Sequence, residues 1–212
     1  MIITVFGATG QVGKRIVRSA LAKGHTVRAF GRNVTGLIDE DLQNDKLHVI
    51  KGFVFEEEDV YNAVNGAGAV LSALGGAFDG VDKTRSLGIK NIAAQMQKAG
   101  VQRIVALGGS GTLEAAGGGF VMEEPEFPEQ FLPVAREHTQ AFLNLQQSPL
   151  EWTFVCAPTI NDEDATGNYI TNDTYPPTPN KNFITAGDIA DFMMSEVEQP
   201  KHVKQRVGMS AT

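Results

Sequence analysis

The sequence is poor in the residues and segments that mark secreted and membrane-embedded proteins. It holds a single cysteine, Cys156, so no disulfide can form within the chain, and this is typical of a reducing compartment. Apolar neighbours around Cys156 predict a packing role for its thiol. No apolar run reaches transmembrane length, and no basic segment precedes the first apolar stretch. We therefore expect no membrane partner, no signal peptide and a cytoplasmic location.

Basic clusters and metal-ligand spacings are also missing. The formal net charge is −7, which argues against nucleic acid and against anionic membranes as partners. The four histidines are scattered, so no metal site is predicted. The 212 residues, 42% of them hydrophobic, suit a single domain over 1–212. The expected partner is a small molecule, and the expected state is a monomer or small homo-oligomer.

What the sequence does contain is a glycine-rich turn between a strand and a helix. The apolar run 2–6 ends at Gly7, and Gly10 and Gly13 follow at intervals of three residues. Gly7 permits the tight turn, Gly10 lets a pyrophosphate approach the backbone, and Gly13 allows close packing of the helix. The amides that open the helix predict an anion site. The predicted dinucleotide-binding residues of this turn are Gly7, Thr9, Gly10, Gln11, Val12 and Gly13.

Strand and helix patterns alternate from the start of the chain to about residue 157. This rhythm predicts an α/β fold of the Rossmann type, a doubly wound parallel sheet with helices on both faces. The expected strand order is 3-2-1-4-5-6 with a further C-terminal strand, and the ligand crevice lies where the order reverses. Two irregular segments, 111–133 and 158–182, follow strand ends, so we expect them to form a substrate rim.

The end of the second strand indicates which dinucleotide is bound. An acidic residue there usually contacts a free ribose 2′-hydroxyl, but this strand ends in Arg32 and Asn33. The guanidinium of Arg32 suits a 2′-phosphate, and Asn33 adds an amide donor. We therefore expect NADP(H) to be preferred over NAD(H). Arg28, inside the strand, is a weaker candidate for the same phosphate.

Two later glycine-rich strand ends are predicted to face the cofactor. Leu74, Gly75 and Gly76 follow the fourth strand, where small residues would allow the ribose and nicotinamide to approach the backbone. Gly108 and Gly109 follow the fifth strand and are expected next to the nicotinamide. Tight-turn chemistry alone explains both pairs equally well.

These motifs together resemble the atypical short-chain dehydrogenase/reductases. The matching segments are the Gly7–Gly13 turn, the Arg32 strand end, Leu74-Gly75-Gly76, 108–114, 150–153, Pro158, 166–169 and 184–190. Within that superfamily the chain is similar to the NAD(P)H-binding group that includes biliverdin-IXβ/flavin reductase and bacterial NADH-flavin reductase-like proteins.

The resemblance also identifies departures from the family pattern. Where relatives often carry Gly-Asp, this chain has Phe53 and Val54 after Gly52, so adenine contact would fall to Phe53 or to the Val54 backbone. The resemblance places Pro158, after the sixth strand, beside the cofactor, and Thr159 replaces a histidine of the flavin reductases. No tyrosine has a lysine four residues later, so the Tyr-x-x-x-Lys machinery is absent.

The helix expected at about 134–147 carries the candidate proton donor. His138 shares a stripe with apolar residues, and an imidazole of near-neutral pKa could protonate a reduced substrate. A core histidine satisfied by a backbone carbonyl is the competing interpretation. Ser110 is a second candidate, either as a hydrogen-bond donor to the substrate or as a turn cap. Arg136 and Glu137 are expected on a solvated helix face.

Two functions therefore remain open at the level of the sequence. The first is an NADPH-dependent oxidoreductase that transfers hydride to a flat conjugated or carbonyl acceptor, such as a flavin or quinone. The second is a non-catalytic sensor of NADP(H), which the missing Tyr-x-x-x-Lys pair favours. An isomerase or epimerase is a distant third, because such relatives generally keep the tyrosine.

Overall fold

The computed structural model describes residues 1–34 and 44–212. The helices are α1 (Gln11–Ala22), α2 (Glu57–Val64), α3 (Thr84–Ala99), α4 (Leu132–Gln146) and α5 (Ala186–Glu198). The strands are β1 (Ile2–Phe6), β2 (Thr26–Gly31), β3 (Leu47–Lys51), β4 (Ala69–Ser72), β5 (Arg103–Gly109), β6 (Glu151–Ala157), β7 (Thr159–Asn161), β8 (Tyr169–Asp173), β9 (Phe183–Thr185) and β10 (Gln205–Ala211). No helix within the described ranges is long and apolar enough to cross a bilayer.

The main sheet has the order β3-β2-β1-β4-β5-β6-β10-β8. Strand β1 lies at its centre, where Val5 is in register with Ala29 of β2 and Leu71 of β4. The pairings from β3 to β10 are parallel, which confirms the predicted Rossmann-type fold and strand order.

One part of the sheet differs from the expected parallel arrangement. Strand β8 pairs antiparallel with β10 and forms the edge, and β7 and β9 form a separate two-stranded parallel sheet. Strands β7 and β8 lie within 158–182, which was expected to be irregular. The side chains of β8 are half-buried or exposed, so its sequence lacks the apolar alternation that reveals a strand.

Two hydrophobic layers cover the faces of the sheet. Helices α1 and α5 pack on one face, where Ile3 and Val5 are fully buried with Ile189 of α5. Helices α2, α3 and α4 cover the other face, which Phe6 and Ile104 share with them. The alternation of Ile3, Val5 and Phe6 between the two layers follows from the two-residue period of a strand. The carboxyl ends of the central strands are left open to a cavity.

Candidate functional site

A cavity of about 1300 Å³ opens at the carboxyl ends of the central strands, where the strand order reverses. It brings together most of the residues that the sequence analysis assigned to the site. They are Gly7, Thr9, Gly10, Gln11, Val12, Arg32, Phe53, Val54, Leu74, Gly75, Gly76, Gly108, Gly109, Ser110, His138 and Pro158. Gly13 and Asn33 lie outside its lining.

The three glycines of the first turn are required for different reasons. Gly7 has a φ of 74°, and a Cβ there would lie 2.3 Å from the Ala73 carbonyl oxygen. A Cβ at Gly13 would lie 2.1 Å from the Gly7 oxygen, so the helix packs directly on the turn. A Cβ at Gly10 would meet only the Gly7 oxygen, at 3.4 Å. The protein therefore has room for a side chain at Gly10, and that room faces the cavity.

The N-terminus of α1 is electrostatically suited to an anion. Gly10 is its N-cap, no side chain caps the first turn, and no acidic residue lies within it. The free amides and the positive end of the helix dipole face the cavity beside Gly10. Together with the open space at Gly10, this fits the pyrophosphate of a dinucleotide.

Arg32 lies at the outer end of the cavity, just after β2. Its side chain is exposed and makes no hydrogen bond or ion pair with the part of the chain described, and Asn33 beside it is also exposed. Arg28 is not available for a phosphate, because its Nη1 donates to the carbonyl oxygens of Ala63 at 3.1 Å and Asn65 at 2.6 Å. At this end of the cavity Arg32 is therefore the arginine that lines it, whereas Arg28 does not.

The two residues expected near adenine differ in what they offer. The Phe53 ring is 52% exposed and lines the cavity. The backbone is less available, because the Phe53 N–H donates to Asp59 and the Val54 carbonyl accepts from Asn91, both at 2.9 Å. The Phe53 ring and the Val54 N–H, which makes no hydrogen bond within the described residues, are the groups left to contact an adenine here.

The protein's own packing requires some of the four later glycines and not others. Nothing lies within 4 Å of a Cβ built on Gly75, so the protein itself does not require a glycine there. A Cβ on Gly76 would meet Asp82 Oδ2 at 2.6 Å. A Cβ on Gly108 would lie 2.1 Å from the Phe154 ring, so packing accounts for that glycine. At Gly109 the neighbour is His138 Cδ2, at 3.0 Å.

His138 lines the cavity from α4, and its ring lies over the end of β5. Burial and the charge of Arg85 lower the pKa of His138 from 6.5 to about 3. The expected near-neutral pKa is therefore wrong, and the imidazole is uncharged at neutral pH. The expected carbonyl partner is also absent, because Nδ1 is buried without a hydrogen-bond partner among the described residues.

Ser110 directly follows β5, and Cys156 lies on the neighbouring strand β6. Ser110 opens a short 3₁₀ turn, lines the cavity, and its hydroxyl makes no hydrogen bond within the described residues. Cys156 on β6 is fully buried, and burial raises the pKa of its thiol to about 12. The thiol is a packing group and has no role in the chemistry of the cavity.

Glu137 does not lie on a solvated face as expected. Its side chain is buried between α3 and α4, where Oε1 accepts from Lys83 Nζ at 2.7 Å and Oε2 accepts from Ser86 Oγ at 2.6 Å. Arg136, the next residue along, is exposed as predicted. Tertiary contact with α3 overrides the polar pattern of this segment.

Arg85 is a cavity residue that the sequence analysis did not single out. It is only 6% exposed, and its guanidinium carbon lies 5.6 Å from the centre of the Phe78 ring. A lone arginine near the start of a helix resembles any solvated side chain, so no sequence signal distinguishes it. Its placement follows from the loop after β4.

The mouth of the cavity is aromatic. Phe78 comes from the loop after β4, and Phe127 and Phe131 come from the segment 111–133 that was expected to form the rim. The segment 158–182 adds Pro158, Ile160 and Pro176 from the other side. Rings with this arrangement offer flat apolar surfaces to a planar molecule.

A catalytic tyrosine and a metal-binding cluster are both absent from the site as the described residues form it. No tyrosine lines the cavity, and no cluster of three or more His, Cys, Asp or Glu side chains could hold a metal ion. Ser110 and the neutral His138 are among the cavity side chains that can form hydrogen bonds with a ligand.

The comparisons with known proteins agree with this geometry. The model of the NAD(P)H-binding family matches residues 7–200. YwnB of Bacillus subtilis is 27% identical over 215 residues, covering 97% of this chain and 96% of YwnB. A Streptococcus pneumoniae structure provisionally named an NADH-flavin reductase is 29% identical with a TM-score of 0.84, covering 100% of both chains.

A second solved structure carries a different provisional name. It is an epimerase of Bacteroides thetaiotaomicron, 28% identical with a TM-score of 0.86, covering 99% of this chain and 96% of that one. The fold is thus shared more widely than any one reaction. The chain belongs to the NAD(P)H-binding family and is similar to the flavin reductase-like members of the atypical short-chain dehydrogenase/reductases.

Proposed function

We propose that this protein is an NADPH-dependent oxidoreductase that reduces a flat conjugated or carbonyl acceptor. The observation that carries the proposal is the cavity itself. It joins a bare helix N-terminus and Arg32, which has no ion pair within the described residues, at one end to an aromatic mouth and a neutral histidine at the other. The nicotinamide supplies a hydride when it is bound, so the residues of the chain need only bind, orient and exclude water.

The preference for NADPH rests on Arg32. The α1 amides hold the pyrophosphate, and the second strand then ends in a guanidinium rather than a carboxylate. A 2′-phosphate gives Arg32 a charged, multidentate partner, whereas a 2′-hydroxyl offers only a neutral one. The Phe53 ring covers the adenine beside it.

The acceptor class follows from the mouth of the cavity. Phe78, Phe127 and Phe131 provide stacking surfaces, and Glu124 and Glu126 add carboxylates to the same rim. Stacking favours planar conjugated rings, and the carboxylates repel anions. A neutral quinone or an isoalloxazine ring fits both conditions.

A non-catalytic sensor of NADP(H) is the second candidate. It is favoured by the missing catalytic tyrosine and by a histidine whose pKa of about 3 leaves it uncharged, and so not a general acid, at neutral pH. The two functions differ in a simple measurement, because a sensor binds the cofactor without consuming it.

Calorimetry and turnover of the purified protein test both parts of the proposal. We expect NADPH to bind at least about tenfold more tightly than NADH, and Arg32→Ala to remove that difference while NADH affinity stays the same. Arg136→Ala is the matched control, because it removes an equally exposed arginine outside the cavity. Equal losses for both cofactors would contradict the role of Arg32. Tight NADPH binding with no oxidation by flavins, quinones or aldehydes would favour the sensor.

A further inference from the structure

Two cavity residues carry buried polar atoms without a partner. Within the described ranges these are Arg85 Nε, on α3, and His138 Nδ1, on α4. A buried polar atom left unpaired destabilises the fold, so such atoms are rare and point to a function or to a missing partner. Both lie at the same end of the cavity, beside the aromatic mouth.

Arg85 is held in place by the backbone of the loop after β4. Its Nη1 donates to the Ala77 carbonyl oxygen and its Nη2 to that of Gly76, both at 2.9 Å. Each η nitrogen therefore has an acceptor, whereas the buried Nε–H has none within the described residues. An arginine is always a donor and always charged, so this requirement cannot be met by changing its protonation.

The His138 imidazole, unlike Arg85, can change which of its nitrogens carries the proton. Its ring edge bearing Cδ2 and Nε2 lies over Gly109, where a Cβ would be 3.0 Å and 3.6 Å from these atoms. Nδ1 lies on the other edge of the ring and is buried. Nδ1 is buried without a partner, whereas Nε2 is not among the buried unpartnered atoms. Because His138 lines the cavity, we infer that Nε2 is the nitrogen that contacts a molecule there. In a neutral imidazole one nitrogen carries the proton and the other accepts.

Only one tautomer makes the two residues complementary. If Nδ1 carries the proton, two buried donors of adjoining helices are left without acceptors, and a positive N–H end lies in the field of the Arg85 cation. If Nε2 carries the proton, the Nδ1 lone pair can accept a hydrogen bond from a water molecule that in turn accepts from Arg85 Nε–H. Arg85 lies close enough to act on His138 electrostatically.

We propose that Arg85 is a positioning residue that fixes His138 as the Nε2–H tautomer, and that this N–H donates a hydrogen bond to the carbonyl oxygen of a neutral conjugated acceptor. The inference rests on the proposed function and narrows its substrate to compounds such as quinones. His138 keeps its proton throughout, so it needs no pKa near neutrality.

The atoms and electrons of the step balance without a further reagent. The acceptor gains a hydride at a conjugated carbon, and the displaced π pair moves onto its carbonyl oxygen. The His138 Nε2–H stabilises that developing charge, as fixed donors do in oxyanion sites. The oxygen then takes a proton from water at the cavity mouth, which leaves a reduced acceptor and an oxidised nicotinamide.

Nitrogen-15 NMR of the full-length protein tests the tautomer directly. We expect His138 in the wild-type protein to show the Nε2–H pattern and to stay neutral from pH 8 to pH 5. Asp82, Lys83 and Glu137 flank Arg85, and Glu124 and Glu126 lie on the rim, so the titration is compared with Arg85→Met and Arg85→Lys. Arg85→Met should give a mixture of tautomers and raise the pKa of His138, and Arg85→Lys should restore part of the wild-type pattern.

An Nδ1–H pattern in the wild-type protein, or an unchanged pattern in Arg85→Met, would overturn the role of Arg85. Cofactor calorimetry shows that each variant is folded, and a loosened fold alone would not select one tautomer.

Kinetics with 1,4-naphthoquinone test the second half of the inference. His138→Phe and Arg85→Met should lower kcat, measured at saturating NADPH, by about tenfold to a hundredfold. His138→Gln, which retains an N–H donor, should recover part of the loss. Equal activity of His138→Phe and His138→Gln would refute hydrogen bonding by His138. If the wild-type protein reduced no acceptor, the proposed function would fail, and the NMR result would still decide whether Arg85 sets the tautomer.

Discussion

The two ends of the cavity recognise a ligand by different means. At the pyrophosphate end the contacts come from backbone amides of a turn that spans seven residues, Gly7 to Gly13, with one exposed arginine nearby. At the acceptor end they come from side chains on α3, α4 and the rim, supported by buried hydrogen bonds. The pyrophosphate end depends on the local backbone, and a side chain added at Gly10 would fill the space of the pyrophosphate. The acceptor end depends on a network that spans distant parts of the chain.

The largest effect is expected when a side chain is added at the pyrophosphate end. In Gly10→Val we expect dinucleotide affinity to fall on the order of 100-fold or more, because the side chain occupies the space of the pyrophosphate. Thermal stability should change little, since a Cβ at Gly10 meets only the Gly7 oxygen, at 3.4 Å, and its φ of −74° suits a β-branched residue. Calorimetry and thermal unfolding measure the two quantities separately.

Gly13→Val is the contrasting variant. Its Cβ would lie 2.1 Å from the Gly7 oxygen, so it should unfold the turn and lower stability together with binding. If Gly10→Val lost stability to the same degree, the distinction between a ligand-required and a fold-required glycine would be wrong.

The contrast also explains which features the sequence could predict. The glycine spacing is local, so the turn and the helix that follows it can be predicted from a short segment. Glu137 was misplaced because its partners Lys83 and Ser86 lie more than fifty residues earlier in the chain. Strand β8 was missed because it is polar and is defined by its pairing with β10. Features that depend on a short segment can be predicted from the sequence, whereas the tertiary pairing of polar side chains cannot.

A smaller effect is expected when the buried network of the acceptor end is altered. Glu137→Gln removes the charge that faces Lys83 and Arg85 and weakens the bond from Ser86, so the free energy of unfolding should fall by about 2 kcal/mol. Dinucleotide affinity should stay within about twofold, since the α1 turn is not involved. Urea unfolding and calorimetry measure these changes. Glu129→Gln, at an exposed glutamate before α4, is the control and should leave both unchanged. A loss of dinucleotide binding in Glu137→Gln would show that the two ends are coupled.

The smallest effect concerns the anchor of the second rim segment. Asp188 accepts hydrogen bonds from the backbone N–H groups of Thr166 and Gly167, both at 2.8 Å, and from the hydroxyls of Thr166 and Thr185. Burial raises the pKa of Asp188, but these donors outweigh it and hold the pKa below the ordinary 3.8. Asp188→Asn should lower the free energy of unfolding by about 1 kcal/mol at pH 7.

The sign of the pH dependence separates this anchor from ordinary packing. Because the folded-state pKa of Asp188 is lowered, its carboxylate stabilises the fold fully above the unfolded pKa, and the contribution is lost as the pH falls through the folded value. The difference between wild type and Asp188→Asn should therefore shrink as the pH falls below about 4. Asp191→Asn, at an exposed position of α5, should show no such trend. If this difference in the free energy of unfolding stayed constant from pH 7 to pH 3, the rim segment would be held by packing and not by the charge of Asp188. The acceptor end would then depend on local geometry, as the pyrophosphate end does.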